Sequence, residues 1–498
     1  MNARFTPAGG VPDMQSSGTP IYRTARQFHL KTYSSLLLAS LLLTVCLNAQ
    51  TTTQDSSSSQ DSSSQSSSSS SSLPDEPVAA NSTQAAAAPQ PAKEPTPAEM
   101  GAIYRGQILM QPPDSQRLFG PWNNVRNAMQ RHGFGIYAIS QTVFIYNTLS
   151  APVPYNQIHY PGQRPFIQSS SYPGLTYDMR AFGLKNAQFA MIAAIQKMSW
   201  NPAGPEAVGF GGISYYQSVW KNRLEFKGGY LDEADEFIQL KVGGLANNGA
   251  LGVYAVLPYE VGLANLPQQA PAFNVRANLP HHFYAKVGFQ RSFSNKGGVG
   301  EQARDKLQLR FAPKGDGLLS IFEGDYQQST YKNPMKTWVR AGFMYNTTKY
   351  TNFKTGRTDT TNYGTYLIAD RQFTHTSATN ERRGLYAGFS AMYVPPSVNK
   401  YTQYYEFRLY DNGPISKRPS DFASLVFSHT DNSEFYTRTQ VAQGKRVWNS
   451  AWSATGTYTT KLYRGAYWVN ALGYTQGPSI TPRTRNALEY NTMLMLFF

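Results

Sequence analysis

From residue 283 onward the chain repeats one pattern: apolar side chains at every second position, with polar or basic ones between them. Phe283, Ala285, Val287 and Phe289 alternate with Tyr284, Lys286, Gly288 and Gln290; Val339, Ala341, Phe343 and Tyr345 alternate with Trp338, Arg340, Gly342 and Met344. Leu307, Leu309 and Phe311 alternate with Lys306, Gln308 and Arg310 in the same way. So do Leu385, Ala387, Phe389, Ala391 and Tyr393 along residues 384–394, and Tyr405, Phe407 and Leu409 against Tyr404, Glu406 and Arg408. A two-residue period is the period of a β-strand with two unlike faces. In the last strand Leu488, Tyr490, Thr492, Leu494, Leu496 and Phe498 share one face, and Glu489, Asn491, Met493 and Met495 the other. A membrane strand needs only about 9–11 tilted residues, and an aromatic at its end sits at the interface.

The two membrane architectures separate on run length. After the N-terminal region no apolar run approaches the roughly 20 residues of a spanning helix, whereas 33 Tyr, 27 Phe and 40 Gly suit strands and turns. A mean hydropathy of −0.44 does not separate a soluble protein from a barrel, because alternating faces average out. Placing Lys or Arg toward lipid near the midplane costs about 2–4 kcal/mol, so Lys286, Lys306, Arg310, Arg340 and Arg408 are expected to face a wet lumen. The pattern predicts an all-β, transmembrane, antiparallel outer-membrane β-barrel of about sixteen strands. A soluble sandwich with one solvated face is the competing fold.

The N-terminus reads as an address and a tether. Lys31, the apolar stretch 36–47 and the small-residue run Leu47-Asn48-Ala49 before Gln50 resemble a secretory signal with an extended leader over 1–49, and Met14 is an alternative start. Cys46 is the single cysteine, so a chain cleaved after Ala49 carries no disulfide; a lipoprotein reading places the acyl group on Cys46 behind an unfavourable Val45. Residues 50–100, rich in Ser, Gln, Ala and Pro, predict a disordered tether. Residues 101–498 form the barrel domain. Acids outnumber the one base, Lys93, in the tether, so the barrel is more basic than the +15 of the whole chain. Its basic residues are spread through alternating segments rather than gathered in a patch, which argues against nucleic acid.

Tyr215, Tyr216, Tyr345, Tyr350, Tyr363, Tyr401 and Tyr490 lie near segment ends, as interfacial girdles or as cross-strand packing. Pro121, with Trp122, Val125 and Met129 on one face and Gly133 beyond, predicts a short N-terminal helix against the barrel or its mouth.

Several blocks resemble the carbohydrate-selective porins of the OprB type. Phe119-Gly120-Pro121-Trp122 with Arg126, then His132-Gly133, is similar to that family's opening, with Asn124 and Val125 where it has Gly-Gly. Tyr215-Tyr216-Gln217, Arg223 through Gly229, and Asp235-Glu236-Phe237 are similar to its adjacent strand pair and the acidic-Phe step that follows. Trp338 through Gly342, Asn362-Tyr363-Gly364 with Tyr366, Arg383 through Phe389, and Arg418 with Asp421 recur in its order. The resemblance implies a sixteen-stranded pore, monomeric or homotrimeric, that passes mono- or small oligosaccharides.

Rings cover sugar C–H faces while charged and amide groups bond hydroxyls, so the lumen candidates are Lys286, Gln290, Gln308, Arg310, Trp338, Arg340, Asp370, Gln372, Glu406 and Arg408. The constriction loop is not assignable by parity. An anion-selective or general porin is the alternative that the basic charge suggests. A barrel-embedded hydrolase and a structural adhesin are further classes. His132, His159, His281, His282, His375 and His429 stand in no nucleophile-elbow or zincin motif. His281 and His282 would point to opposite faces of a strand, and Asp370 and Glu406 are candidates for glycoside hydrolysis only in that both are expected to face inward. No metal or cofactor is expected; the partners are sugars, outer-membrane lipid and lipopolysaccharide, and the barrel-assembly machinery through the last strand.

Overall fold

A computed structural model describes residues 105–106, 116–120, 125–149, 153–204, 206–238, 257–328, 336–377 and 382–498. The secretory leader, the tether and the helix start at Pro121 lie outside them. Helix α1 (Val125–Arg131) ends at Gly133 and leads into β1 (Phe134–Asn147), β2 (Phe166–Asp178), β3 (Ala187–Met198), β4 (Ala207–Val219) and β5 (Leu224–Leu231). The helical turns α2 (Glu233–Phe237) and α3 (Leu257–Glu260) precede β6 (Ala270–Asn278) and β7 (Phe283–Arg291), and α4 (Gly297–Arg304) precedes β8 (Leu318–Gln328). Then come β9 (Thr337–Thr351), β10 (Thr358–Gln372), β11 (Gly384–Tyr393), β12 (Tyr401–Asn412), β13 (Phe422–Asn432), α5 (Glu434–Ala442), β14 (Ser450–Tyr463), β15 (Ala466–Gln476) and β16 (Ala487–Phe497).

Every strand pairs with its chain neighbours, and β1 closes on β16 with Ile139 opposite Phe497 and Tyr146 opposite Tyr490. The result is a closed sixteen-stranded barrel. Closure leaves no unpaired strand edge, the condition for burying a sheet in hydrocarbon.

The predicted parity holds along the strands. In β9, Trp338, Arg340, Met344 and Asn346 are buried inside, while Phe343 and Tyr345 face outward. Connections alternate between tight turns at one end, such as 220–223, 279–282 and 464–465, and long loops at the other, such as 232–269, 292–317 and 433–449. In bacterial barrels the long-loop end faces outside.

Three expectations need correction. Residues 306–311 form no strand: Asp305 accepts hydrogen bonds from the backbone N–H groups of Leu309 and Arg310 (3.1 and 2.9 Å), and Gln308 takes a φ of +64°. These local bonds compete with a ladder, and the alternation there is coincidental. His281 and His282 both have positive φ (59° and 69°) and form the two-residue turn between β6 and β7, as primed hairpin turns require. Tyr350 and Tyr401 belong to no outer girdle; both point inward, Tyr350 onto Asn346 and Tyr401 against the inward-folded loop.

That loop is the main apolar core. Ala234, Phe237, Ile238, Leu257, Val261 and Leu263 pack on Leu319, Ile321, Met344, Tyr366, Ile368, Met392, Val394 and Tyr404 from the inner faces of β8 to β12. Fully burying one such aliphatic or aromatic side chain is worth about 1.5–3 kcal/mol. The described parts of connection 232–269 are therefore held inside the barrel by a face as apolar as a soluble core.

Candidate lumen site

The inward loop is fixed by charges as well as by apolar contact. Glu236 binds Lys227 on β5 (2.8 Å) and Lys286 on β7 (2.5 Å), and the Lys286 ammonium lies 4.3 Å from the Phe237 ring centre. Gly288 on β7 leaves the room that ring occupies: a Cβ there would meet Phe237 at 2.7 Å. Arg340 donates to the Phe237 carbonyl (2.5 Å), and Gln290 both donates to Gly262 O (3.0 Å) and accepts from Ala264 N (3.1 Å). Gly262 has a φ of +101°, and a Cβ on it would meet Asn346 and Ser292 at 2.5 Å, so only glycine makes this turn. Near the outer mouth the half-buried Glu260 carboxylate accepts from Tyr401 N (3.1 Å). Burial pushes its carboxyl up to about 7, against that hydrogen bond and the charge of Lys400.

Below the loop a row of rings and guanidinium groups crosses four strands. Arg276 on β6 lies 3.8 Å from the Tyr284 ring centre, and Trp338 donates through Nε1 to Tyr284 Oη and Asp325 Oδ1 (both 3.2 Å). Arg340 lies 3.9 Å over Trp338. Tyr366 reaches from β10 across Gly342 on β9 to donate to Glu323 on β8 (2.6 Å); a Cβ at Gly342 would overlap its ring. Arg276 is half-buried rather than covered. Its Nε donates to Asn278 Oδ1 (2.9 Å), and Asn278 donates to Glu225 Oε1 (2.6 Å), forming a polar edge the lumen reaches.

A second cluster lies on β10 to β12. Arg408 grips Asp370 through Nε and Nη2 (2.9 and 2.6 Å), reaching two strands over Gly388, where a Cβ would collide with both partners. Arg408 also donates to Glu406 (2.7 Å) and Ser390 (2.8 Å). Tyr404 donates to Glu406 (2.5 Å) and Tyr410 to Asp370 (2.9 Å). Tyr410 stacks on Tyr386, with centres 5.0 Å apart and planes 9° apart. Fork-shaped guanidinium–carboxylate pairing is the strong form of such contacts.

Of the ten sequence candidates, Trp338 and Arg340 come together, as do Asp370, Glu406 and Arg408, while Lys286 and Gln290 hold the inward loop. Gln372 bonds the Thr374 and Arg383 carbonyls near the turn end (3.1 and 3.2 Å). Gln308 and Arg310 lie in the loop after α4 instead of on an inner strand face: Gln308 is buried and accepts from Gln269 (2.8 Å), whereas Arg310 is exposed. The reading missed Arg276, Tyr284, Glu225, Glu323 and Asp325. Alternation signals them, since Asn274, Arg276 and Asn278 interleave with Phe273, Val275 and Ala277. Glu236 and Phe237 were seen only as part of a motif. Among the described residues no cluster has the make-up of a metal site.

A model of the carbohydrate-selective porin family, OprB, matches residues 189–475. Among solved structures, OprB of Pseudomonas putida at high pH is 14% identical with a TM-score of 0.63, covering 77% of this chain and 98% of its own. Its low-pH structure is 13% identical with a TM-score of 0.48, covering 77% and 99%. A loop-deleted OmpT of Vibrio cholerae is 10% identical with a TM-score of 0.39, covering 73% and 99%. No curated protein sequence matches the chain. At such identity the first of these structures speaks for the fold.

Proposed function

The chain belongs to the OprB family of carbohydrate-selective porins, and on that premise we propose that sugars descend the lumen past the inward loop and along the polar edge of Arg276, Asn278 and Glu225. It is a porin of the bacterial outer membrane that passes carbohydrate. Fold and family are those of a porin channel.

The observation that carries the reading for these residues is the row Arg276–Tyr284–Trp338–Arg340. It sets ring faces beside fixed hydrogen-bond donors, the combination that suits a polyol with an apolar C–H face. Trp338 and Arg340 are themselves almost covered, so they position the row and the loop, while the half-buried Arg276 edge meets the solute. A conducting site must release what it binds, and a shallow edge of this kind binds weakly.

The paired charges favour neutral solutes over anions. Lys227 and Lys286 share Glu236, and Arg408 is held by Asp370 and Glu406; cations already matched in this way offer little to a passing carboxylate or phosphate. Swelling of proteoliposomes tests this. Glucose is expected to enter faster than gluconate of nearly the same size, and Arg276→Ala to slow glucose more than it slows glycerol. Equal or faster gluconate entry would transfer the reading to an anion pore.

A further inference from the structure

The chain ahead of β1 reaches into the barrel. Leu118 N donates to Phe497 O at the end of β16 (2.9 Å), and the buried Arg117 donates to the Ile136 carbonyl of β1 (3.0 Å), which fixes residues 117–118 at the tight-turn end. Gln116 accepts from Lys461, which shares the inner face of β14 with Thr455, Thr457 and Thr459. The next described residues toward the N-terminus, Arg105 and Gly106, meet the wall on β4 and β5, across β1 to β3 from that anchor.

Their seat faces the lumen. Tyr216 and Lys227 stand opposite each other in the β4–β5 ladder, while Tyr215 is exposed on the outer side. Lys227 donates to the Gly106 carbonyl (2.7 Å) as well as to Glu236 (2.8 Å), and only 12% of its side chain is exposed. One ammonium thus holds both the inward loop and the N-terminal segment. Gly106 has a φ of +72°, and a Cβ on it would overlap the Tyr216 ring; glycine is what lets the backbone lie on that ring. The place is the sugar edge itself. Glu225 lies two residues before Lys227 on the same face and pairs across the ladder with Arg276, as Lys227 does with Asn274. Tyr216 hydrogen-bonds Glu225, and the charge of Arg105 acts on the Tyr216 hydroxyl. Closure explains none of these contacts, because the sixteen strands pair without residues 105–106.

We propose that Arg105 and Gly106 form one wall of the pore's constriction, completing from the tight-turn end what the inward loop begins, and so set the size limit for sugars on the Glu225–Asn278–Arg276 edge; this rests on the porin reading above. A backbone laid on the wall narrows the passage by about 5 Å, the spacing of neighbouring chains in a sheet, and chain segments that fold inside are a recurrent way of closing down a barrel lumen.

The test is liposome swelling with glucose and with the trisaccharide raffinose, using the full chain carrying Cys46→Ser. Gly106→Val should lift the segment off Tyr216. Gly106→Cys with Tyr216→Cys should tether it instead, since a Cβ at 106 would stand 2.7 Å from that of Tyr216 and removal of the ring leaves room to relax to the usual disulfide separation of about 3.8 Å. Folding of each is checked by heat-modifiable migration. The double variant is expected to cross-link in the folded protein, and reducing it should raise the raffinose-to-glucose rate ratio roughly threefold, with Gly106→Val giving a similar rise. The oxidised and reduced forms of one molecule decide the matter even where Gly106→Val does not fold. Failure to cross-link would overturn the seat, and a ratio unchanged on reduction would overturn the constriction; either leaves the porin standing. A wild type that admits neither sugar would overturn the porin reading and the constriction together.

Discussion

At Gly388 a methyl group would occupy the space where the Asp370 carboxylate meets the Arg408 guanidinium. Gly388→Ala is expected to cost about 1–3 kcal/mol, as overpacking does, read from urea unfolding by gel shift. Asp370→Asn leaves the buried Arg408 charge partly unmatched and should cost about 3–5 kcal/mol, and Asp370→Asn and Arg408→Met combined should cost less than the sum of the two single losses, because each removes the same ion pair. Strictly additive losses would contradict the pairing. At this scale sequence parity placed Trp338, Arg340, Asp370, Gln372, Glu406 and Arg408 on the inner face, where they lie. It also put Gly288 and Gly342 there, but their meaning was not legible. Each is a gap that lets side chains from other segments meet, and knowing which ones do so requires the register of three adjacent strands.

The inward loop is the element whose behaviour follows most directly from its anchors. Arg340→Ala removes the donor to Phe237 O and uncovers Trp338. The expected result is a loop stability lower by about 1–3 kcal/mol, seen as faster amide exchange over residues 233–238 and weaker sugar block. Glu260 gives the same loop a pH dependence. Its folded pKa of about 7 lies above the ordinary 4.5. Below 4.5 both folded and unfolded states hold the proton and nothing is lost; between 4.5 and about 7 the unfolded carboxyl has released its proton while the folded one keeps it, so stability falls over that window and levels off above it. Glu260→Gln, which keeps an acceptor for Tyr401 N–H, should therefore match the wild type in melting temperature at pH 5 and exceed it at pH 8. The reverse order would contradict the burial argument. This loop was invisible to parity because its apolar residues follow no strand period. Segment 306–311 shows the converse error, a strand period without a strand, set aside by the Asp305 side chain.

For the whole molecule, sixteen strands close because every segment that alternates has a neighbour that alternates in register, down to Tyr146 opposite Tyr490 at the β1–β16 seam. The architecture was legible from period, from the absence of a long apolar run and from the terminal strand, since lipid imposes the same rule on every strand. The solute was not legible from charge: the basic excess suggested anions, and only the paired partners of the lumen cations reveal how much of it is matched inside. Single-channel recording of the reconstituted barrel in salt, with neutral sugar titrated in and the reversal potential read under a salt gradient, tests that conclusion most directly. The account predicts saturable block by maltose with a reversal potential close to that of a weakly selective pore; a strongly anion-selective reversal potential with no block by sugar would contradict it.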